Sequence, residues 1–164
     1  MKYLNIAAVF MFVMVSCNFI KNKLPDGQSE LNFKATNSSK TNLSDTLLFT
    51  GNDIKWFNDS TGEIRFVKSS MNSKIKSFHW IKCYLGTDSL FTATVALPVV
   101  SALINDIVLT YNLEDGNFYF KDGYPDWIVN QTAINIRTQN RKRRSASWNR
   151  FIEELKKEDR YVEK

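Results

Sequence analysis

The chain has 164 residues, with 22 Lys or Arg against 17 Asp or Glu, one His and two Cys. That length supports one domain with a substantial core and not comfortably two. A single histidine excludes sites needing two imidazoles from this chain, HExxH zinc sites included, and two cysteines exclude a disulfide framework of several bridges.

Lys2, the nearly unbroken apolar run Ile6 to Val15, and Ser16 before Cys17 supply the charged, apolar and small-residue parts of a secretory signal. The run falls short of the roughly 20 apolar residues that span a bilayer core. Met14-Val15-Ser16-Cys17 resembles the lipobox of bacterial lipoproteins, and with Met14 where Leu is usual it is similar to the relaxed lipoboxes of Bacteroidetes. The resemblance implies cleavage after residue 16 and acylation of Cys17 with palmitate-type chains. Each buried acyl CH₂ contributes about 0.8 kcal/mol, so two or three chains anchor stably where one is marginal. Lys21 and Lys23 stand where exported surface lipoproteins of that group carry acids. The resemblance therefore implies a protein anchored to the outer membrane and facing the periplasm. As a whole the chain is similar to short Bacteroidetes lipoproteins of unknown function, which implies an address and no activity.

Residues 17–45 are rich in Asn, Ser, Thr and Lys without an apolar period, which predicts a lipidated cysteine followed by a flexible tether. Residues 46–164 are then the single folded domain. In DIKWF, Ile54 and Trp56 fall on one face, and Ile64 and Phe66 do so in EIRFV. The pattern predicts a hairpin of 53–57 with 63–68 around Asn58 to Gly62. Ile75 to Leu85 reads as a strand covered on both faces, and Leu90 to Leu97 as one with Phe91, Ala93, Val95 and Leu97 inward, stopped by Pro98. Asp106 to Asn112 and Asn117 to Lys121 flank Asp115-Gly116, the chain's strongest two-residue hairpin signal. Short turns without helical spacers predict antiparallel pairing.

Residues 126–136 fit either a short helix from Asp126 carrying Val129, Ala133 and Ile136, or a strand. Trp148, Phe151, Ile152 and Leu155 match the i, i+3, i+4, i+7 template, predicting a helix over 146–160. The expected fold is α+β: a mainly antiparallel β-sheet with a C-terminal amphipathic helix.

The search for chemistry gives few candidates. His79 and Cys83 lie four residues apart in strand-like context, roughly 13 Å at strand rise and too far for a nucleophile and base. With Cys17 taken by lipid, Cys83 has no disulfide partner and reads as a buried small hydrophobe. No phosphate-cradling glycine pattern or EF-hand loop occurs, so no cofactor and no metal is expected. Acids cluster at turns (Asp53, Asp59 and Glu63; Glu114 and Asp115; Asp122 and Asp126). Paired carboxylates can hydrolyse glycosides, but turn chemistry and solvation also explain these.

Two stretches remain as candidate binding elements. Asp122-Gly123-Tyr124-Pro125-Asp126-Trp127 sets Tyr124, Asp126 and Trp127 beside a rigid Pro and a flexible Gly, a mixture suited to sugar or peptide contact or simply to turning the chain at the core edge. Arg141, Lys142, Arg143 and Arg144 form a run suited to anionic lipid or polysaccharide phosphate, or to a solvated connector between two helices. The basic charge is confined there: residues 17–136 carry 11 basic against 12 acidic side chains, and 137–164 carry 10 against 5. An exported address argues against nucleic acid as the partner. The expected function is a lipid-anchored cell-envelope module that binds an envelope protein or glycan, or serves structurally. The alternatives are a carboxylate-based hydrolase of envelope polysaccharide and charge-driven adhesion to an anionic surface. No catalytic residue is assigned.

Overall fold

Alternation of apolar and polar residues, broken by Gly, Asn and Asp at tight turns, favours strands separated by short turns. A computed structural model describes residues 29–36, 45–99, 101–127 and 130–163. The signal-like segment, Cys17 and much of the expected tether lie outside the described residues.

The described residues form β1 (Leu31–Thr36), β2 (Thr46–Thr50), β3 (Ile54–Asn58), β4 (Glu63–Phe66), α1 (Ser70–Ile75), β5 (Trp80–Leu85), β6 (Asp88–Ala96), β7 (Val108–Tyr111), β8 (Phe118–Lys121), α2 (Gln131–Lys157) and β9 (Tyr161–Val162). The nine strands make one sheet in the order β2-β1-β5-β6-β7-β8-β4-β3-β9, curled into a half-barrel. Two blocks compose it. In β2-β1-β5-β6 every neighbour is antiparallel, as it is in β7-β8-β4-β3. A parallel seam, β6 with β7, joins the blocks, and β9 adds to β3 in parallel at the far edge. The sheet is thus mainly antiparallel and locally mixed, with one long C-terminal helix across it.

Four sequence expectations about the strands change. First, the expected tether 17–45 contains β1, whose Leu31 and Phe33 are fully buried between β2 and β5. Alternation over only six residues, LNFKAT, was hidden in a polar neighbourhood, and a central position in the sheet supplied the burial. Second, a register shift between Ile54 and Trp56 moves the inward position of β3 to Phe57, leaving Trp56 half-exposed. Third, Ser70–Ile75 is a helical turn, so the strand expected over 75–85 starts only at Trp80. Fourth, the Asp115-Gly116 turn is wider than two residues. Tyr111 pairs with Phe118, and the Gly116 amide bonds the Asn112 carbonyl at 3.0 Å while Gly116 takes φ of +73°.

The largest correction is α2. The short helix or strand from Asp126 and the helix over 146–160 are one 27-residue helix. Its N-cap is Asn130, whose side-chain oxygen accepts from the amides of Thr132 at 2.9 Å and Ala133 at 3.3 Å. No Gly or Pro interrupts Gln131–Lys157, so nothing stops the helix between the two predicted pieces. It ends where Asp159 enters the left-handed region at φ of +55° and the Arg160 amide reaches back to the Leu155 carbonyl at 2.8 Å.

The core lies between the concave sheet and the C-terminal third of α2. Phe151 is fully buried, with ring centroids 5.4 Å from Phe57, 5.5 Å from Phe91 and 6.2 Å from both Phe33 and Phe120. Those rings come from β3, β6, β1 and β8, so one side chain draws on both blocks. Leu155 is fully buried beside it. Offset and edge-on ring pairs at such distances contribute roughly 0.5–1.5 kcal/mol each beyond area burial.

Candidate functional site

The N-terminal half of α2 docks by charge and hydrogen bonds. Arg137, Asn140, Arg141 and Arg144 follow the spacing i, i+3, i+4, i+7 and so share one helix face. That face meets the crossover between β6 and β7 and the segment leaving β8. Arg137 donates from Nε to the Asn105 side-chain oxygen at 3.2 Å and from Nη2 to the Pro125 carbonyl at 3.0 Å. Asn140 donates to the Asn105 carbonyl at 2.8 Å. Arg144, only 12% exposed at its side chain, donates to Asp106 at 2.7 Å and to Asp122. Arg141 also pairs with Asp122 and stays 68% exposed, and Arg143 lies 3.7 Å from Asp106 while 75% exposed. Lys142 is exposed.

Two separately read stretches are therefore one assembly. The basic run does not form a solvated connector between helices; Arg141 and Arg144 clamp the first residue of the 122–127 loop. Gly123 is required by the fit, since a Cβ there would come within 2.2 Å of the Arg137 Nε and 2.7 Å of the Ile104 carbonyl. Tyr124 bridges antiparallel to Ile104, its amide donating to the Ile104 carbonyl at 2.8 Å, and a cis peptide joins it to Pro125. The loop ends with Asp126 exposed and Trp127 76% exposed. Trp127 does not cover the core edge.

The loop separates two concavities. On the outer face of β7 and β8 runs a groove of about 530 Å³, lined by Tyr119, Tyr124 and Asp126 with Pro98, Leu113 and Lys121. Thr110 also lines it, and its hydroxyl oxygen is shielded and finds no hydrogen-bond partner among the described residues. Tyr119 donates to Asp115. Burial and that bond push the Tyr119 hydroxyl up to about 12. Burial pulls the Asp115 carboxyl upward, but bonds from Tyr119 and Asn117 outweigh it and hold the group below its ordinary value.

On the opposite side, a cleft of about 520 Å³ opens between α2, the end of β8 and the β3–β4 turn. Ile107, Phe120 and Trp148 give its apolar surface, and Asp59, Ser60, Thr61, Asp122, Arg141 and Arg144 are among its polar ones. The Trp148 indole N–H donates to Asp59 at 3.1 Å. Gly62 lets the turn close against β8: its φ is +76°, and a Cβ there would meet the Phe120 carbonyl at 2.1 Å.

The other sequence candidates fall elsewhere. Cys83 is fully buried, and burial pushes its thiol well above the ordinary value, while His79 is exposed outside the core. The pair is not a dyad. Asp53 accepts from the Thr50 amide at 2.9 Å as a capping group, and Glu63 pairs with Arg65 at 2.6 Å. Asp59 and Asp122 line the same cleft, but Asp59 accepts from an indole and Asp122 from two guanidiniums, so both carboxylates are engaged in holding the walls. Among the described residues no cluster of three His, Cys, Asp or Glu side chains is placed to hold a metal, and no helix is long and apolar enough to cross a membrane.

Arg137 and Lys121 escaped selection from the sequence. The spacing of Arg137, Arg141 and Arg144 puts them on one helix face but does not say what that face meets, because charged residues at helical period ordinarily mark a solvated side. Lys121, which lines both concavities, carries no signal of its own. Compared with protein-family models, curated proteins and solved structures, the chain matches none.

Proposed function

We propose that this chain is a lipid-anchored binding module of the bacterial cell envelope, and that the corner bearing Tyr124, Asp126 and Trp127 is its recognition surface. The observation that carries the second part is Trp127. A large indole 76% exposed, at the end of a loop clamped by Arg137, Arg141 and Arg144, costs solvation that folding alone does not require. Rigid aromatics with little conformational entropy to lose are the usual anchors of binding surfaces. The adjoining groove adds the rings of Tyr119 and Tyr124, the shielded Thr110 hydroxyl and the Asp126 carboxylate, a set suited to a glycan or an extended peptide.

The address rests on Lys2, the apolar run 6–15 and Ser16-Cys17. The helix is read as an amphipathic strap in its last third, where Phe151, Ile152 and Leu155 are buried and Glu153, Lys156 and Lys157 exposed. Hydrolysis is not proposed: in the cleft Asp59 and Asp122 are both bonded to its walls, and the two acids of the groove, Glu114 and Asp126, are exposed. Broad adhesion through the basic run is set aside on similar grounds, since Asp106 and Asp122 neutralise much of it.

The experiment captures partners from solubilised envelopes with the full chain. A specific protein or glycan retained by Cys17→Ser and lost by Trp127→Ala supports the reading; equal capture by wild type and Trp127→Ala refutes the surface. For the address, Cys17→Ser abolishes fatty-acid labelling if Cys17 is the acylated residue.

A further inference from the structure

The cleft between α2 and the β3–β4 turn faces away from the aromatic corner and has its own chemistry. Arg141 and Arg144 line it against Asp59 and Asp122, while Lys121, whose backbone borders it, carries its ammonium 5.6 Å from the centre of the Tyr119 ring on the groove side. The two arginines are not equivalent. Arg144 is 12% exposed and divided between Asp106 and Asp122, so it holds the wall. Arg141 is 68% exposed and, among the described residues, bonded only to Asp122, an acceptor that keeps Arg144 if Arg141 turns away. An exposed ion pair of this kind contributes only about 0–1 kcal/mol. A guanidinium can form two parallel charge-assisted bonds to a phosphate or carboxylate, so an incoming anion competes well for Arg141.

The remaining lining describes the rest of the ligand. Phe120 and Trp148 offer apolar surface beside the arginine, and the rim carries the Ser60 and Thr61 hydroxyls and the Asn149 amide. A volume of about 520 Å³ lies within the range of small-molecule sites. We propose that this cleft binds an anionic sugar: a pyranose ring bearing one phosphate or carboxylate, with the anion on Arg141, the ring against Trp148, and its hydroxyls on the rim.

Trp148 is a built-in reporter, because its indole N–H lies in the cleft bonded to Asp59 at 3.1 Å. The full chain in detergent micelles is titrated with glucose 1-phosphate, glucuronate, glucose and inorganic phosphate while the Trp148 indole N–H resonance, assigned with Trp148→Phe, is followed. The expected result is saturable movement with at least one anionic sugar, at an affinity about tenfold or more above that for glucose and for inorganic phosphate, and which of the two moves it identifies the anion. Arg141→Gln abolishes that preference, Arg141→Lys restores part of it, and Arg150→Gln, whose residue pairs with Asp88 at 2.8 Å outside the cleft, behaves as wild type. Equal response to glucose, no response to either anionic sugar, or undiminished preference in a folded Arg141→Gln overturns the proposal. Loss in Arg150→Gln equal to that in Arg141→Gln does so too.

Discussion

The two halves of α2 present the same face to the same sheet and dock by different physics. From Arg137 to Arg144 the face is guanidinium and amide, held to Asn105, Asp106, Asp122 and Pro125; from Trp148 to Leu155 it is aromatic and aliphatic, set into rings from four strands. The apolar half buries Phe151, Ile152 and Leu155 in the core shared with the strands. The polar half works at the wet rim of the sheet, where directional bonds position a loop without closing the concavities on either side. A helix can therefore be core at one end and scaffold for a surface at the other.

The difference can be broken from either side. Phe151→Ala is expected to cost about 3–5 kcal/mol, because a fully buried ring touching both blocks leaves a cavity that no single strand can fill; urea unfolding measures it. Arg144→Ala is expected to cost about 2 kcal/mol, the order for hydrogen bonds to charged groups. Its signature is local: amide exchange quickens at 104–106 and 122–126 while the neighbourhood of Phe151 stays protected. An equal loss of protection at Phe151 would show that the halves are not separable.

Smaller changes sharpen the contrast. Asp159→Gly is expected to raise stability by about 1 kcal/mol, since a non-glycine residue at φ of +55° carries a steric cost that glycine lacks; an unchanged denaturation midpoint would count against strain there. Arg141→Gln should alter stability by less than about 1 kcal/mol because its pair is exposed, which separates its effect on ligands from folding. A control lies in the β7–β8 hairpin, away from the helix. Tyr119 is raised to about 12, so the contribution of its bond to Asp115 is complete below the ordinary tyrosine value near 10 and fades as pH rises through about 12. Asp115 is lowered, so its contribution is present at neutral pH and fades as pH falls below the ordinary carboxylate range. Tyr119→Phe should remove the alkaline loss that Tyr119 itself contributes.

Much of the sheet could be read along the chain. The β3–β4 hairpin, the Phe91, Ala93, Val95 face of β6 and the Phe118 and Phe120 face of β8 follow from alternation over a few residues. β1 could not, because its six residues sit in a polar neighbourhood and become core only by lying between β2 and β5. The register shift in β3 was equally hidden, since pairing with β4 decides it. For the site, Tyr124, Asp126, Trp127 and the basic run were visible as residue types. Their connection was not, because Arg144 and Asp122 are 22 residues apart and meet only when β8 runs beside the helix.

By itself the sequence determined the strand-rich class, the C-terminal apolar stripe and the uneven distribution of charge, all of which are local patterns or counts. Only the tertiary structure decided that α2 is one helix with a polar and an apolar half, that the arginines clamp the 122–127 loop, and that this loop divides a groove from a cleft. The physical reason is that a guanidinium has no periodic apolar signature. Its meaning depends on which carboxylate or carbonyl the fold brings within about 3 Å, and that distance is set by strand order rather than by neighbours in the chain.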